Sequence, residues 1–439
     1  MASPPGGDDG LPQISGRQGT LDGVRAVAAL VVVFYHVAST SGVIGDYWLF
    51  NGGQVGVPLF FTLSGLLLYR PWAAAVLLGH PAPRVRTYFR KRVLRILPAY
   101  WLVVVCFMVL VADDHIRDTG TWVYLLTLTH TYLPDPWWGL SLGPPHLGQI
   151  WSLSVEVAWY ALLPVTAAAV GWYARRVPSQ DVDARARRLL VGLAAYALVS
   201  VAYTVAMFVP EPRPLLGLWV PRFFVWFAIG MALAVVTVWA RSPGAAPVAG
   251  VCRAVADAWG ACWLGAALLY VIAATPVTGP IDLGTPDTLW TSLFDLVLYG
   301  LCAVAFVAPV ALAPPGHAAI GAALGNPVMR FLGRVSYGLF LWQMLIIVGW
   351  YEWRDRVFHG GLLPDLPLLL AATIAAATAT HYLVERPVQW AARTWERRAA
   401  RRRADDRATA SRRAEDGRFA AAADPDPRDR PPGRAAPPS

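Results

Sequence analysis

Long apolar runs repeat along the chain from Leu21 to Val384, separated by short breaks rich in glycine, proline or arginine. About 20 apolar residues in a helix cross the ~30 Å hydrocarbon core of a bilayer. The pattern predicts ten spans, over roughly 22–42, 55–78, 96–112, 149–174, 189–209, 217–240, 256–275, 288–312, 328–350 and 363–384. The stretch Thr121 to Leu133 is apolar but ends at Pro134 and Pro136. At about 13 residues it is too short to cross, which predicts a re-entrant or interfacial helix. The expected fold class is all-α, a polytopic membrane helix bundle.

Composition agrees with this pattern. The 439 residues are 56% hydrophobic and 15% charged, a balance foreign to a soluble domain. The formal charge of +9 is carried almost wholly by arginine, Lys91 being the single lysine. These cations fall in the breaks and the tail, so they read as orientation signals; no nucleic-acid partner is expected. The basic connector Pro83 to Pro98 and the clusters at Arg175, Arg176 and Arg185–Arg188 are placed inside, with Glu211, Asp282 and Asp287 outside. Ten spans then leave both termini in the cytoplasm of a cell with a bacterial type of plasma membrane. The expected division is a disordered N-terminus over 1–19, a membrane domain over 20–387, and a basic amphipathic then disordered tail over 388–439. Residues 1–19 carry no cleavage-site pattern, so the first span is expected to serve as the insertion signal. Cys106, Cys252, Cys262 and Cys302 show neither disulfide nor metal spacing and read as packing residues; no metal site is expected.

A few polar residues interrupt the apolar runs. Arg25 and His36, both in the first span, are eleven positions apart. At about 100° and 1.5 Å per residue they return to within ~20° of one face with Cα atoms ~16 Å apart. Arg25 alone reads as a snorkelling cation and His36 alone as a buried hydrogen-bonding imidazole. Together they point to a site, with Arg25 holding an anion and His36, whose ordinary pKa is about 6.5, acting as a base. Ser64-Gly65 in the second span suits close helix packing, and Phe60, Phe61 and Ser64 are candidates to line a tunnel beside His36. Arg92 and Arg95, three apart on one helical face, suit a multiply charged phosphate ligand, although orientation alone explains a basic loop. Glu156 lies about two turns into the fourth span, flanked at four residues by Ser152 and Tyr160. An intramembrane carboxylate is paired, protonated or functional. In the ninth span Arg334, Ser336, Tyr337 and Gln343 bring polar groups to an apolar helix.

Taken in order, Arg25 and His36, the FFTLSG segment, Arg92 and Arg95 followed by ILPAYW, WSLSVE, FLGRVSYGLFLWQ and VERP resemble the acyltransferase-3 family of integral membrane acyltransferases. The likeness covers Leu21 to Pro387. It implies transfer of an acyl group, often acetyl, from acyl-coenzyme A to a hydroxyl of an envelope polysaccharide, another glycan, a glycoside or a macrolide-type natural product. It implies that Arg25 and His36 are the essential pair and that Arg92 and Arg95 hold the coenzyme's phosphates. The sequence departs from the family at Gln343, where a histidine often follows the tryptophan, and at Val157, where a second polar residue is common. No esterase-like soluble segment is seen, so the membrane domain is expected to complete the transfer or to pass the acyl group to a separate protein.

The pantetheine arm of coenzyme A is comparable in length to the Arg25–His36 separation, so phosphates on Arg25, Arg92 and Arg95 let the thioester reach His36. Glu156 is a candidate to orient His36 or the acceptor. Three rival readings use the same residues differently. A transporter or flippase would place Arg, His and Glu at a midplane site. Another membrane O-acyltransferase fold would use His130. A scaffold or sensor would have lost turnover.

Overall fold

The structure is a computed structural model that describes residues 10–139, 141–278 and 287–396. It is helical throughout, with no strand among the described residues: α1 (Gly19–Thr40), α2 (Gly56–Leu77), α3 (Val85–Leu110), α4 (Thr119–Leu126), α5 (Ile150–Ala174), α6 (Val182–Phe208), α7 (Phe224–Trp239), α8 (Ala246–Asp257), α9 (Trp259–Ala273), α10 (Leu289–Leu312), α11 (Ala318–Leu324), α12 (Pro327–Trp353) and α13 (Leu362–Thr380). Among the described residues nine helices are long and apolar enough to cross a membrane. A tenth crossing follows if α8 and α9, bent by 64° at their junction, are taken as one span. The bend falls inside the predicted seventh span, 256–275, and leaves α9 alone with 15 residues, a rise of only ~22 Å.

Two elements differ in form from the expected pattern. The basic connector is no loop, because α3 begins at Val85 and runs unbroken through Pro98, carrying Arg92 and Arg95 on its first three turns. The short element between the third and fourth spans is α4, only eight residues long. Asp118 caps it, accepting from Gly120 N (2.9 Å) and from the Thr121 hydroxyl (2.6 Å). That hydroxyl, with the two backbone N–H groups, holds the Asp118 carboxyl below its usual range.

The chain separates into two units, Met1–Val384 and Glu385–Ser439. The first holds the helix bundle. Within it, residues 10–18 run without helix, and Arg241 Nε donates to Pro12 O (2.6 Å). In the second unit the described residues 386–396 are helical. The expected disorder over 1–9 and 397–439 lies outside the described residues.

Close helix approach is set by glycines. A Cβ on Gly230 of α7 would meet Thr62 O at 1.9 Å, and one on Gly65 of α2 would meet Phe227 O at 2.2 Å. Only glycine at both positions lets α2 and α7 lie backbone to backbone. The seam is filled by Phe61, Phe227 and Trp159, stacked in turn at 4.4 and 4.1 Å between ring centroids. Gly333 does the same for α12 against α1, where a Cβ would meet Asp22 O at 1.9 Å. Gly56 brings the start of α2 against α1, where a Cβ would meet Ala28 O at 2.6 Å, and Arg25 of α1 and Ser64 of α2 line a space shared with α3, α5 and α12.

Candidate functional site

Two cavities are stacked along α1. The first, of ≈ 230 Å³, is reached by Arg25 from α1, Phe60, Phe61 and Ser64 from α2, Arg92 and Arg95 from α3, and Glu156 from α5. The second, of ≈ 330 Å³, is bordered by His36, Asn51, Gln54, Gln149, Arg222, Asp287 and Asp295. Val57, Ser152 and Phe340 line both, so the cavities adjoin at these three side chains. The eleven-residue rise between Arg25 and His36, ~16 Å, is the step from one cavity to the next.

In the first cavity three guanidinium groups face one carboxylate. Arg25 Nη1 bonds Asp22 Oδ1 (3.0 Å), and Asp22 also takes Arg17 Nε (2.8 Å), which fixes the Arg25 side chain one turn from its origin. Arg92 Nε is buried and unpartnered. Such a donor, beside two further cations, is satisfied by an anion with several oxygens. Glu156 accepts the hydroxyl protons of Ser64 and of Tyr160 (2.6 Å for the latter). Tyr160 is placed in turn by Tyr88, whose hydroxyl donates to the Tyr160 carbonyl (3.1 Å). The carboxylate thus ties α2 and α5 together at the cavity wall.

In the second cavity the His36 ring stands beside Tyr35, 5.2 Å between centroids, and its Nδ1 is buried without a partner. Gln343 of α12 is fully buried and within reach of His36. Its Nε2 donates to Phe340 O (3.3 Å), while its Oε1 is unpaired.

Five of the six sequence candidates converge on the first cavity: Arg25, Ser64, Arg92, Arg95 and Glu156. His36 borders the second, so Phe60, Phe61 and Ser64 line the neighbouring cavity instead of flanking the imidazole. Trp151 lines the His36 cavity as well. His130 is fully buried and borders neither cavity. Sequence reasoning missed Gln149, Arg222 and Asp295. Arg222 lies near the start of the sixth predicted span, where it resembles an orientation signal, but Asp295 is the single acid in an otherwise apolar helix, a signal that was available.

The model of the acyltransferase domain family Acyl_transf_3 matches residues 19–382. Among curated proteins, this chain is 27% identical over 405 residues to "Putative peptidoglycan O-acetyltransferase YrhL" of Bacillus subtilis, covering 84% of this chain and 54% of that protein. It is 22% identical over 350 residues to "Peptidoglycan O-acetyltransferase OatA" of Listeria monocytogenes, covering 75% of this chain and 49% of that protein. The chain therefore spans about half the length of these relatives. No solved structure matches. A family model that spans all but the ends of the chain, over a helical bundle with these cavities, places the protein: it is a multi-pass membrane member of the acyltransferase-3 family.

Proposed function

We propose that the protein is a membrane O-acetyltransferase that moves an acetyl group from acetyl-coenzyme A to a hydroxyl of an envelope glycan. The observation that carries this reading is the pair of adjoining cavities with unlike charge. The cavity with three guanidinium groups and one carboxylate suits the coenzyme's phosphates; the other holds an imidazole and hydroxyl-binding groups. A donor entering beside Arg25, Arg92 and Arg95 extends its pantetheine arm past Val57, Ser152 and Phe340 to His36. With the N-terminus cytoplasmic, the donor enters from inside and the acceptor approaches from the opposite face.

Gln343 Oε1 accepts a hydrogen bond from the protonated Nδ1 of His36, which leaves Nε2 as the base. Nε2 removes the acceptor's hydroxyl proton as the oxygen attacks the thioester carbonyl. The tetrahedral intermediate collapses, the C–S bond breaks, and the departing thiolate recovers the proton from Nε2. The products are an acetyl ester and free coenzyme A. The names of the relatives make peptidoglycan the first glycan to test.

The test is thioester turnover by the purified protein with labelled acetyl-coenzyme A, comparing wild type with His36→Ala. Glycan-stimulated thiol release that falls at least ~100-fold in the variant, with coenzyme binding retained, supports the reading. Absence of both release and coenzyme binding in the wild type would overturn it in favour of a transporter with the same buried polar residues. Equal turnover in the two proteins would remove His36 as the base.

A further inference from the structure

The cavity that His36 borders carries more polar chemistry than a proton transfer requires. Arg222 Nη2 and Asp295 Oδ2 stand 3.8 Å apart on its wall. A closed charge-assisted bond is ~2.8 Å long, so this pair is loose, and a hydroxyl lying beside it can accept from Arg222 and donate to Asp295. Both partners are braced from behind. Arg222 Nη1 donates to Gly217 O (3.1 Å), and Trp226 Nε1 donates to Leu296 O (2.9 Å), which locks α10 and its Asp295 against α7. Gln149 borders the same cavity and is 2% exposed. Its Nε2 is committed to Leu341 O (2.8 Å), while its Oε1 is buried and unpaired. Trp151 and Phe223, ring centroids 5.4 Å apart, line the same cavity and offer an apolar surface about as wide as a six-membered ring.

The charge balance separates the ligand classes. One guanidinium against the carboxylates of Asp287 and Asp295 opposes a phosphate. An apolar alcohol would leave a carboxylate and an amide oxygen desolvated and unbonded. Several hydroxyls on one ring answer all of them, because each hydroxyl donates to a carboxylate or amide oxygen and accepts from a guanidinium.

We infer that Arg222, Asp295 and Gln149 form an acceptor subsite for a polyhydroxylated ring, seated over Trp151 and Phe223 with one hydroxyl turned to His36. The inference rests on the acetyl-transfer reading, and it adds to that reading the residues that hold the sugar ring of the acceptor. In the test, wild type and Asp295→Asn in detergent receive acetyl-coenzyme A with chitotriose or maltotriose, and separately with cyclohexanol or 1-decanol. Ester formation is followed by mass spectrometry. At least one polyol should be acetylated, and both single-hydroxyl alcohols should react at least tenfold more slowly. Asp295→Asn should raise the KM for that polyol about tenfold while the KM for acetyl-coenzyme A stays within twofold, which also shows that the variant is folded. Three outcomes overturn the subsite while leaving the acetyl-transfer reading intact, each with His36-dependent consumption of acetyl-coenzyme A: no ester on any polyol, equal use of polyols and simple alcohols, or no separation of the two KM values in Asp295→Asn. Absence of His36-dependent consumption with every acceptor overturns the acetyl-transfer reading itself.

Discussion

Glu156 illustrates how one side chain joins structure to binding. Its carboxylate receives two hydroxyl protons, from Ser64 and Tyr160, inside a cavity that holds three guanidinium groups. Those roles separate on substitution. Glu156→Gln keeps an acceptor oxygen for both hydroxyls and removes only the charge. Its melting temperature is expected to stay within ~2 °C of wild type. Losing one repulsive charge of about 1 kcal/mol should tighten acetyl-coenzyme A binding roughly fivefold at low salt and less at high salt. Glu156→Ala strands both hydroxyls, at about 1–3 kcal/mol each, and should lower the melting temperature by ~5 °C or more. Thermal unfolding and coenzyme titration of both variants check this. Equal melting of the two would mean that the hydroxyl bonds contribute nothing. Weaker coenzyme binding by Glu156→Gln would mean that the carboxylate contacts the ligand in a way the net charge does not describe.

At the scale of elements, the apolar runs were legible because a span needs only length and apolar content, and the helices follow those runs closely. Which helices pair was not legible. Pairing depends on glycines meeting backbones far away in the chain, as Gly333 meets Asp22, and sequence spacing carries no record of the partner. The site was half legible for the same reason. Arg25 and His36 share a helix, so periodicity relates them, whereas Ser64 and Glu156 are 92 positions apart and meet only in the folded bundle. Arg222 and Asp295 lie on different elements, and neither announces the other. The α1–α12 seam gives the prediction at this scale. Gly333→Ala puts a methyl group 1.9 Å from Asp22 O, so α1 and α12 must part, and Asp22 is the group that holds Arg25. The expected cost is about 2 kcal/mol or more, with weakened coenzyme binding. Gly349→Ala, in the same helix, meets nothing within 4 Å and should be neutral or stabilising by up to ~1 kcal/mol. Melting curves of the two variants provide the check; similar losses in both would assign the effect to helix propensity instead of to the seam.

For the whole molecule the decisive quantity is orientation, since the donor and acceptor faces are assigned from it. The basic start of α3 carries Arg86, Arg90, Lys91, Arg92 and Arg95 within its first three turns. Translocating that density of cations is unfavourable, so this end of α3 is expected in the cytoplasm, together with the N-terminal end of α1 one hairpin earlier. In that orientation Arg25 would face the compartment that holds coenzyme A, with His36 ~16 Å nearer the other side. The chain supplies its own reporter. Lys91 is its single lysine and is exposed on α3, so a membrane-impermeant amine reagent has one side-chain target. Peptide mapping should find Lys91 modified in inside-out vesicles and at least tenfold less modified in intact cells. The reverse pattern would put the arginine cavity on the outer face, where coenzyme A is not supplied, and would exclude acyl-coenzyme A as the donor at that cavity. The catalytic assignment of His36 would then need a donor on the opposite side, and the transporter reading would account better for two polar cavities stacked along one helix.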